Sequence, residues 1–176
     1  MGIASNPDQP SDVLAIMKVV STLAQAQDDR DFGKYRSCLT DEVFVEQYPG
    51  EENWTPRTVS ADEWVRGVLE TLSNYEVTQH RLFNHVIEVK GDDATCVVDV
   101  TALHMQLQGP VPTNTYTLIG RYSLKLRREE GQWRIWARSL EYRFGEGDLP
   151  NRHRGRVWPE AQRRLEARLA RQQRNP

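Results

Sequence analysis

The sequence predicts an α+β domain in which N-terminal helices pack into a curved, mostly antiparallel sheet. Three observations predict this class. The first half of the chain carries apolar residues at helical spacing, the second half carries long strand-like runs, and turn signals containing glycine divide those runs. Runs of helices followed by runs of strands are typical of α+β folds. A chain of 176 residues is long enough for one domain with a sizeable core.

Three helices are predicted in the first half of the chain. The first is capped by Ser11 or Asp12 and runs to about Gln27, because apolar residues recur there every three or four positions. A short second helix is expected over residues 32–38. The third begins at a capping box, Ser-Ala-Asp-Glu at 60–63. Its predicted buried face consists of Trp64, Val65, Val68, Leu69 and Leu72.

Five strands are predicted, and the last four follow the third helix. The first is short, lies among the helices at 42–48 and precedes a loop over 49–58. The other four are expected to form an antiparallel meander, with a loop over 109–114 in the middle; they cover 78–90, 94–108, 115–128 and 132–144. Strand alternation places six residues on one face, namely Tyr116, Leu118, Gly120, Tyr122, Leu124 and Leu126. A concave sheet of this kind is a common location for a ligand site.

The first hairpin of the meander is expected to bring two histidines together. A turn signal at 91–93 separates its strands, and a three-residue loop there places His80 directly opposite His104. Their Cβ atoms would then lie about 4.5–5.5 Å apart. A two-residue loop would change the register by one and spoil this arrangement. His85 has the opposite parity and is expected to face away from His80, without a catalytic role.

Composition favours a cytoplasmic protein that does not bind nucleic acid. The net charge is −2 and the sequence pI about 6.1, so no overall positive field indicates nucleic-acid binding. Cys38 and Cys96 form no disulfide framework or metal motif and are expected to be free core thiols. The first residues lack the basic and apolar regions of a signal peptide, and no apolar run has the length of a transmembrane helix. We therefore expect no membrane partner.

The chain is expected to divide into a flexible N-terminus (1–10), one domain (11–148) and a basic helical tail (149–176). The tail carries eight arginines and two glutamates between Arg152 and Arg174. Such a helix could bind anions or a membrane surface, or it could pack one edge on the body or on a neighbouring subunit. The second interpretation is favoured, because a basic run without interleaved aromatic residues is weak evidence for anion binding.

Five short segments, in this order and with these gaps, carry a resemblance to a known family. They are Ala-Gln-Asp-Asp-Arg-Asp-Phe at 26–32, Thr-Gln-His at 78–80, Ala-Leu-His at 102–104, Gly-Gln-Trp-Arg-Ile at 131–135 and Arg-Phe-Gly-Glu at 143–146. With them, residues 11–148 resemble the NTF2-like superfamily, in its SnoaL-like branch, and most closely the scytalone dehydratases. The resemblance implies a cone-shaped α+β barrel, consistent with the fold class predicted above.

The resemblance also implies three catalytic residues. Asp28 matches the family's pocket aspartate, and His80 matches its first pocket histidine. His104 matches the second histidine, which in the family pairs with the aspartate and acts as the base. A carboxylate beside an imidazole fixes its tautomer and gives a general base for use near neutral pH. The family uses no metal or organic cofactor, and its members commonly form homodimers or homotrimers, which we expect here.

The electrophilic side of the family's site is altered in this chain. The two tyrosines that hold a water on the substrate carbonyl fall at Gln27 and Gln47, although Tyr48 is adjacent and could replace the second. The family's pocket serine and asparagine fall at Gly120 and Tyr122, so Tyr122 could supply a lost donor. These changes make scytalone itself a less suitable substrate.

The sequence therefore predicts a cofactor-independent dehydratase, isomerase or cyclase that acts on a hydrophobic, carbonyl-bearing metabolite of polyketide type. Tyr48, Trp64 and Tyr122 are the expected substrate-binding residues. One alternative is a cyclase that works by pocket shape with little acid–base chemistry. Another is a non-catalytic ligand-binding or assembly module, since this fold hosts both. Two histidines and an aspartate could also form a metal-binding triad, but the resemblance argues against it.

Overall fold

The computed structural model describes residues 9–47, 55–108 and 111–147, together with helical positions 166, 167 and 170. Its elements are α1 (Gln9–Asp29), α2 (Phe32–Ser37), β1 (Leu39–Gln47), β2 (Arg57–Ser60), α3 (Ala61–Leu72), β3 (Val77–Lys90), β4 (Asp93–Gln108), β5 (Val111–Glu129) and β6 (Gln132–Gly147). The strands form one curved sheet in the order β2-β1-β6-β5-β4-β3. Within the described ranges β2 and β3 are its edges, so the sheet is not closed.

The α+β class and the antiparallel meander from β3 to β6 are confirmed. Strand β1 extends the meander by pairing parallel to β6, and β2 pairs antiparallel to β1. The helices pack against one face of this sheet and bury a continuous core between them. Large side chains at its centre, all buried, include Ile16, Val20, Tyr35, Leu69, Val98 and Leu126. Burial of such apolar area supplies most of the free energy that stabilises a domain.

Helix α3 begins and packs as the sequence predicts. Ser60 has an extended backbone, and its side chain accepts a hydrogen bond from the backbone N–H of Glu63 at 3.2 Å. This satisfies one of the amide groups that a helix N-terminus leaves without a partner. The predicted face is the buried one: Trp64, Val65, Val68, Leu69 and Leu72.

Two segments predicted as loops belong to strands. Arg57 and Thr58 lie in β2, where they pair with Val45 and Phe44 of β1. Residues 111–114 begin β5, which pairs with the end of β4 across a register shift. Local proline content predicted loops in both places, whereas the free energy of forming strand hydrogen bonds with a neighbouring segment decides the structure.

The hairpin between β3 and β4 has a different register from the predicted one. Its loop contains two residues, Gly91 and Asp92, because Lys90 pairs with Asp93. Gly91 has φ 62°, the left-handed conformation that two-residue hairpin loops require and that glycine adopts without strain. The predicted three-residue loop is therefore wrong, and His80 is not directly opposite His104.

A β-bulge nevertheless keeps the two histidines on one face. Between Phe83 and Val86 the register shifts by one residue, and Asn84 in this segment has φ 57°. Beyond the bulge His104 pairs with Thr78, and His80 pairs with Ala102. The two imidazoles are thus diagonal neighbours rather than direct partners, which still allows long side chains to meet.

Several expectations fall on residues outside the described ranges. These are the flexible start of the chain up to residue 8, the loop around Tyr48, and the basic tail except for its three helical positions. Both cysteines are free and buried, as expected. Among the described segments, no helix combines the length and the apolar character needed to cross a membrane.

Candidate active site

A carboxylate–imidazole pair joins the end of α1 to the start of β3. Asp28 is the penultimate residue of α1, and its Oδ1 lies 2.7 Å from Nδ1 of His80. Its Oδ2 accepts the backbone N–H of His80 at 2.8 Å. The His80 side chain is 6% exposed and that of Asp28 is 19% exposed. The pair is therefore held in two places and is largely shielded from water.

The electrostatics of the pair define its tautomer. Burial by itself raises the pKa of Asp28. Two interactions oppose this effect, namely the hydrogen bonds that His80 and Thr78 donate and the positive charge of protonated His80. Their sum is larger than the effect of burial, so the pKa of Asp28 lies below its ordinary value. An ionised carboxylate only accepts hydrogen bonds, so Nδ1 of His80 carries the proton. Nε2 of neutral His80 is consequently the nitrogen that can take a proton from another molecule.

A buried arginine fixes the backbone on both sides of the Asp28–His80 pair. Arg30 follows α1 with φ 53° and is 4% exposed. One guanidinium nitrogen donates to the backbone oxygen of Asp28 at 2.5 Å and to Oγ1 of Thr78 at 2.6 Å. The other donates to the backbone oxygens of Leu72 and Tyr75, at 2.7 and 3.1 Å. Arg30 thus ties the ends of α1 and α3 to the first residues of β3.

His104 lies beside the pair but does not join it. Its ring centroid is 5.8 Å from that of His80, with an edge-on orientation, and 4.9 Å from that of Tyr75. Its Nδ1 lies 3.4 Å from the backbone oxygen of Tyr116, which can only accept, so Nδ1 carries the proton. Burial first, and then the charge of His80, lower the pKa of His104 to about 4. His104 is therefore neutral at physiological pH.

The expected partner of the aspartate is corrected by this geometry. The resemblance implied that His104 pairs with Asp28, whereas His80 does so. The reason is the register: His80 lies at the edge strand nearest to the end of α1, and His104 lies one strand further into the sheet, opposite Thr78. The structure still brings Asp28, His80 and His104 together.

His85 faces the opposite way from the prediction. The bulge at Asn84 reverses the parity of β3, so His85 shares its face with Ile87 and Val89, which pack against the core. Its Nε2 is buried, and no described group forms a hydrogen bond with it. Burial lowers the pKa of His85. Strand alternation alone gave the wrong face because a bulge inserts one extra residue.

The expected binding residues Trp64 and Tyr122 lie together around a second buried arginine. Arg138 of β6 is 5% exposed, and its guanidinium carbon lies 4.7 Å from the ring centre of Trp64 and 5.1 Å from that of Tyr122. It donates to the hydroxyl of Tyr35 at 3.2 Å, as does Nε1 of Trp64. Each cation–π contact of this kind contributes about 0.5–2 kcal/mol.

Gln27 belongs to the same cluster, since its Nε2 lies 3.2 Å from the hydroxyl of Tyr35. Its Oε1 is buried and has no hydrogen-bond partner among the described residues. Tyr48 lies outside the described residues. In the ranges that the structure covers, no three His, Cys, Asp or Glu side chains are grouped so that they could hold a metal ion.

Sequence reasoning missed the two arginines and the tyrosines beside His104. Arg30 lies in a run of charged residues, Asp-Asp-Arg-Asp at 28–31, and such a run is more often solvated than buried. Arg138 is one of three arginines in β6, and the sequence does not distinguish it from Arg134 and Arg143, although it is buried. Tyr75 and Tyr116 gave no comparable signal, because aromatic residues are common in strands and cores.

Comparison with known proteins agrees with the fold and identifies the family. The chain is similar to Kfla4162 from Kribbella flavida, with a TM-score of 0.72 and 20% identity over 79% of this chain and 95% of that one. It is also similar to a candidate scytalone dehydratase from Novosphingobium aromaticivorans, with a TM-score of 0.67 and 17% identity over 85% and 97%. The hexachlorocyclohexane dehydrochlorinase LinA-type3 from Novosphingobium barchaimii gives a TM-score of 0.67 and 17% identity over 84% and 97%.

At such identities these structures establish the fold alone. No curated protein sequence matches the chain. A family model, described as a SnoaL-like domain, matches residues 8–139, which include Asp28, His80 and His104. Because that match covers most of the chain, the protein belongs to the SnoaL-like family within the NTF2-like fold.

Proposed function

We propose that this protein is a cofactor-independent enzyme that removes a proton next to a carbonyl group, with His80 as the general base and Asp28 as its partner. The observation that carries the proposal is the 2.7 Å contact between Nδ1 of His80 and Oδ1 of Asp28. The contact leaves Nε2 of His80 as the basic atom, and the carboxylate stabilises the imidazolium formed when that atom is protonated.

The reaction class follows from where the proton goes next. Nε2 of His80 takes the proton from the carbon, and the electron pair moves onto the carbonyl oxygen to give an enolate. The protonated His80 then returns the proton either to a leaving hydroxyl, which gives a dehydration, or to another carbon, which gives an isomerisation. Neutral His104, 5.8 Å from His80, can accept a hydrogen bond from a substrate hydroxyl and orient it.

A hydrophobic, carbonyl-bearing metabolite of polyketide type is the proposed substrate. The aromatic rings of Tyr75 and Tyr116 flank His104. Trp64 and Tyr122 are buried in the core. Flat aromatic or polycyclic molecules suit such walls. The SnoaL-like family and its structural relatives named as a dehydratase and a dehydrochlorinase support an elimination or isomerisation.

Proton exchange provides a test that does not require the natural substrate. The protein is incubated in D₂O with 2-tetralone, a bicyclic ketone with acidic hydrogens beside its carbonyl, and deuterium incorporation is followed by NMR. His80→Gln and Asp28→Asn should each lower the catalysed rate by about 10²–10⁴-fold. His85→Gln, which alters another inward histidine of the same strand, should keep the wild-type rate. Equal rates in wild type and His80→Gln, or none in wild type, would refute the proposal.

A non-catalytic ligand-binding module is the second candidate, and one observation favours it. Nδ1 of His104 bonds a backbone oxygen, and Trp64 is engaged with Tyr35 and Arg138, so part of the interior is filled by side chains rather than by open space. Under this alternative, 2-tetralone would bind with the same affinity to wild type and to His80→Gln, and neither protein would catalyse exchange.

A further inference from the structure

The two site histidines present hydrogen-bond acceptors rather than donors. The Nδ1–H group of His80 bonds Asp28, and the Nδ1–H group of His104 bonds the backbone oxygen of Tyr116. The hydroxyl of Thr78 also donates to Asp28, at 3.0 Å. The Nε2 atom of each neutral imidazole therefore carries a lone pair, which can accept a hydrogen bond but cannot donate one.

Two acceptors suit only half of the proposed reaction. When His80 removes a proton next to a carbonyl group, negative charge develops on the carbonyl oxygen. A hydrogen-bond donor directed at that oxygen is usually a large part of the rate enhancement. Neither Nε2 of His80 nor Nε2 of His104 can supply it, because both atoms are acceptors. The donor must come from another side chain near the two imidazoles.

The donors expected from the sequence are engaged elsewhere in the described structure. Tyr122 lies in the core, with its ring 5.1 Å from the guanidinium carbon of Arg138. Gln27 occupies a position where the family has a tyrosine, and its Nε2 donates to the hydroxyl of Tyr35 at 3.2 Å. Both side chains belong to the cluster around Arg138, and no contact joins either of them to the histidines in the described ranges.

Tyr75 lies in the connection between α3 and β3, with its ring beside His104. The two ring centroids are 4.9 Å apart. The backbone oxygen of Tyr75 accepts a hydrogen bond from Arg30 at 3.1 Å, and the same guanidinium donates to the backbone oxygen of Asp28. Arg30 thus fixes the backbone of Tyr75 relative to the Asp28–His80 pair.

The hydroxyl of Tyr75 is available as a donor. It forms no hydrogen bond with any residue that the structure describes, and burial is the one influence on its ionisation. The side chain is half-buried, and burial raises the pKa of Tyr75 above its ordinary value, so the phenol keeps its proton at neutral pH. A neutral phenol carries one O–H group that can donate to a ligand oxygen.

We propose that the hydroxyl of Tyr75 donates a hydrogen bond to the carbonyl oxygen of the substrate and stabilises the enolate that forms there. The inference rests on the proposed function, because Nε2 of His80 takes the proton from carbon. As that C–H bond breaks, its electron pair forms a carbon–carbon double bond, and the carbonyl π electrons move onto oxygen. Tyr75 keeps its own proton throughout. It is thus a catalytic residue in the role that the sequence analysis expected of Tyr122.

Tyr75→Phe tests the proposal in the deuterium-exchange assay, because it removes one oxygen atom and keeps the ring beside His104. The exchange rate at saturating 2-tetralone should fall about 10²-fold. The concentration for half-saturation should stay within about twofold, because the donor stabilises the enolate more than the ketone. Tyr142→Phe removes a phenol that is 47% exposed on β6, two strands away from His104, and should leave both values unchanged.

A second measurement detects the hydrogen bond without any turnover. The ligand is 2-tetralone labelled with ¹³C at its carbonyl carbon, and the protein is His80→Gln, which lacks the base and leaves the ketone intact. A hydrogen bond to the carbonyl oxygen moves the carbonyl resonance downfield. The bound resonance should therefore lie further downfield in His80→Gln than in the double variant that also carries Tyr75→Phe. Equal resonances in the two proteins would overturn the proposal.

The two measurements distinguish this inference from the proposed function. If exchange depends on His80 but is unchanged in Tyr75→Phe, Tyr75 is not the donor and the general base remains. If the carbonyl resonance depends on Tyr75 while wild type catalyses no exchange, the base fails and the hydroxyl contact remains. If 2-tetralone does not bind to wild type, both fail. A loss of thermal stability in Tyr75→Phe with an unchanged carbonyl resonance would make the phenol structural and refute its catalytic role.

Discussion

Asp28 binds both the side chain and the backbone of His80. One carboxylate oxygen accepts the imidazole Nδ1–H at 2.7 Å, and the other accepts the backbone N–H at 2.8 Å. The second bond fixes where strand β3 lies relative to the end of α1, and the first fixes the ring. The carboxylate therefore positions the base and also connects a helix to the edge of the sheet.

Asp28→Asn should lower the free energy of unfolding by about 1–3 kcal/mol at pH 7. The amide can replace only one of the two acceptor oxygens, so either the imidazole or the backbone N–H loses its partner. Urea unfolding measures this change. Asp29→Asn is the matched control, because the side chain of Asp29 is 62% exposed and its ion pair with Lys34 is long, at 3.8 Å. A loss of similar size in both variants would contradict a specific role for Asp28.

His104 should make the protein less stable as the pH falls below 6.5. Its pKa in the folded protein is about 4, whereas an unfolded histidine titrates near 6.5. The unfolded chain therefore binds the proton first. The stability associated with neutral His104 is fully present above pH 6.5 and decreases by about 3 kcal/mol as the pH falls to about 4.

His104→Gln removes this titration and should flatten the dependence of unfolding free energy on pH between 6.5 and 4. Urea midpoints at half-unit pH intervals would reveal the difference between the two curves. The His85→Gln variant serves as a comparison, since burial lowers that pKa too but the group is less buried. Parallel curves for wild type and His104→Gln would show that His104 is not held neutral.

Arg30→Lys should destabilise the protein by about 2–4 kcal/mol, because one ammonium group cannot replace a planar guanidinium that donates to four oxygens. It should also slow α-proton exchange, since the backbone of Asp28 and the side chain of Thr78 lose their common donor. Thermal unfolding and the exchange assay give both readouts. Arg81→Lys, at an exposed β3 position, should change neither property by a measurable amount.

Asn84→Val tests whether the bulge places the histidines. A β-branched residue at φ 57° is strained by about 1–3 kcal/mol, so this variant should unfold at lower urea concentration. Asn84→Gly accepts the same backbone and should be close to wild type in stability. The opposite order of the two variants would contradict the bulge geometry. Glu88→Val, at an exposed position of the same strand, controls for the added valine.

The fold followed from local signals that do not depend on distant residues. The periodicity of Trp64, Val68 and Leu72 and the cap at Ser60 define α3 without reference to the sheet. Alternation along β5 placed Tyr122 and Leu124 inward because neighbouring residues of a strand point to opposite faces. The boundaries of β2 and the start of β5 could not be predicted, because they depend on pairing with segments far along the chain.

The residues of the candidate site were predicted, but the hydrogen bonds between them were not. Asp28, His80 and His104 were selected by their resemblance to a family, and they do lie together. Which histidine binds the aspartate depended on a two-residue loop at Gly91 and on a bulge at Asn84. A bulge costs little locally and changes the parity of every residue beyond it, so strand alternation could not reveal it.

The sequence by itself determined the α+β class, the cap of α3, the inward face of β5 and the residue types available for acid–base chemistry; the cap predicted for α1 at Ser11 or Asp12 is wrong, because that helix already includes Gln9. These depend on periodicity and on side-chain chemistry, which a chain carries wherever it folds. Only the tertiary structure decided that His80 is the partner of Asp28, that Arg30 binds the backbone of Asp28 and the side chain of Thr78, and that Arg138 lies between Trp64 and Tyr122. Asp28 and His80 are 52 positions apart and Arg30 and Thr78 are 48 apart, so their contacts exist only after the sheet has curved around the helices.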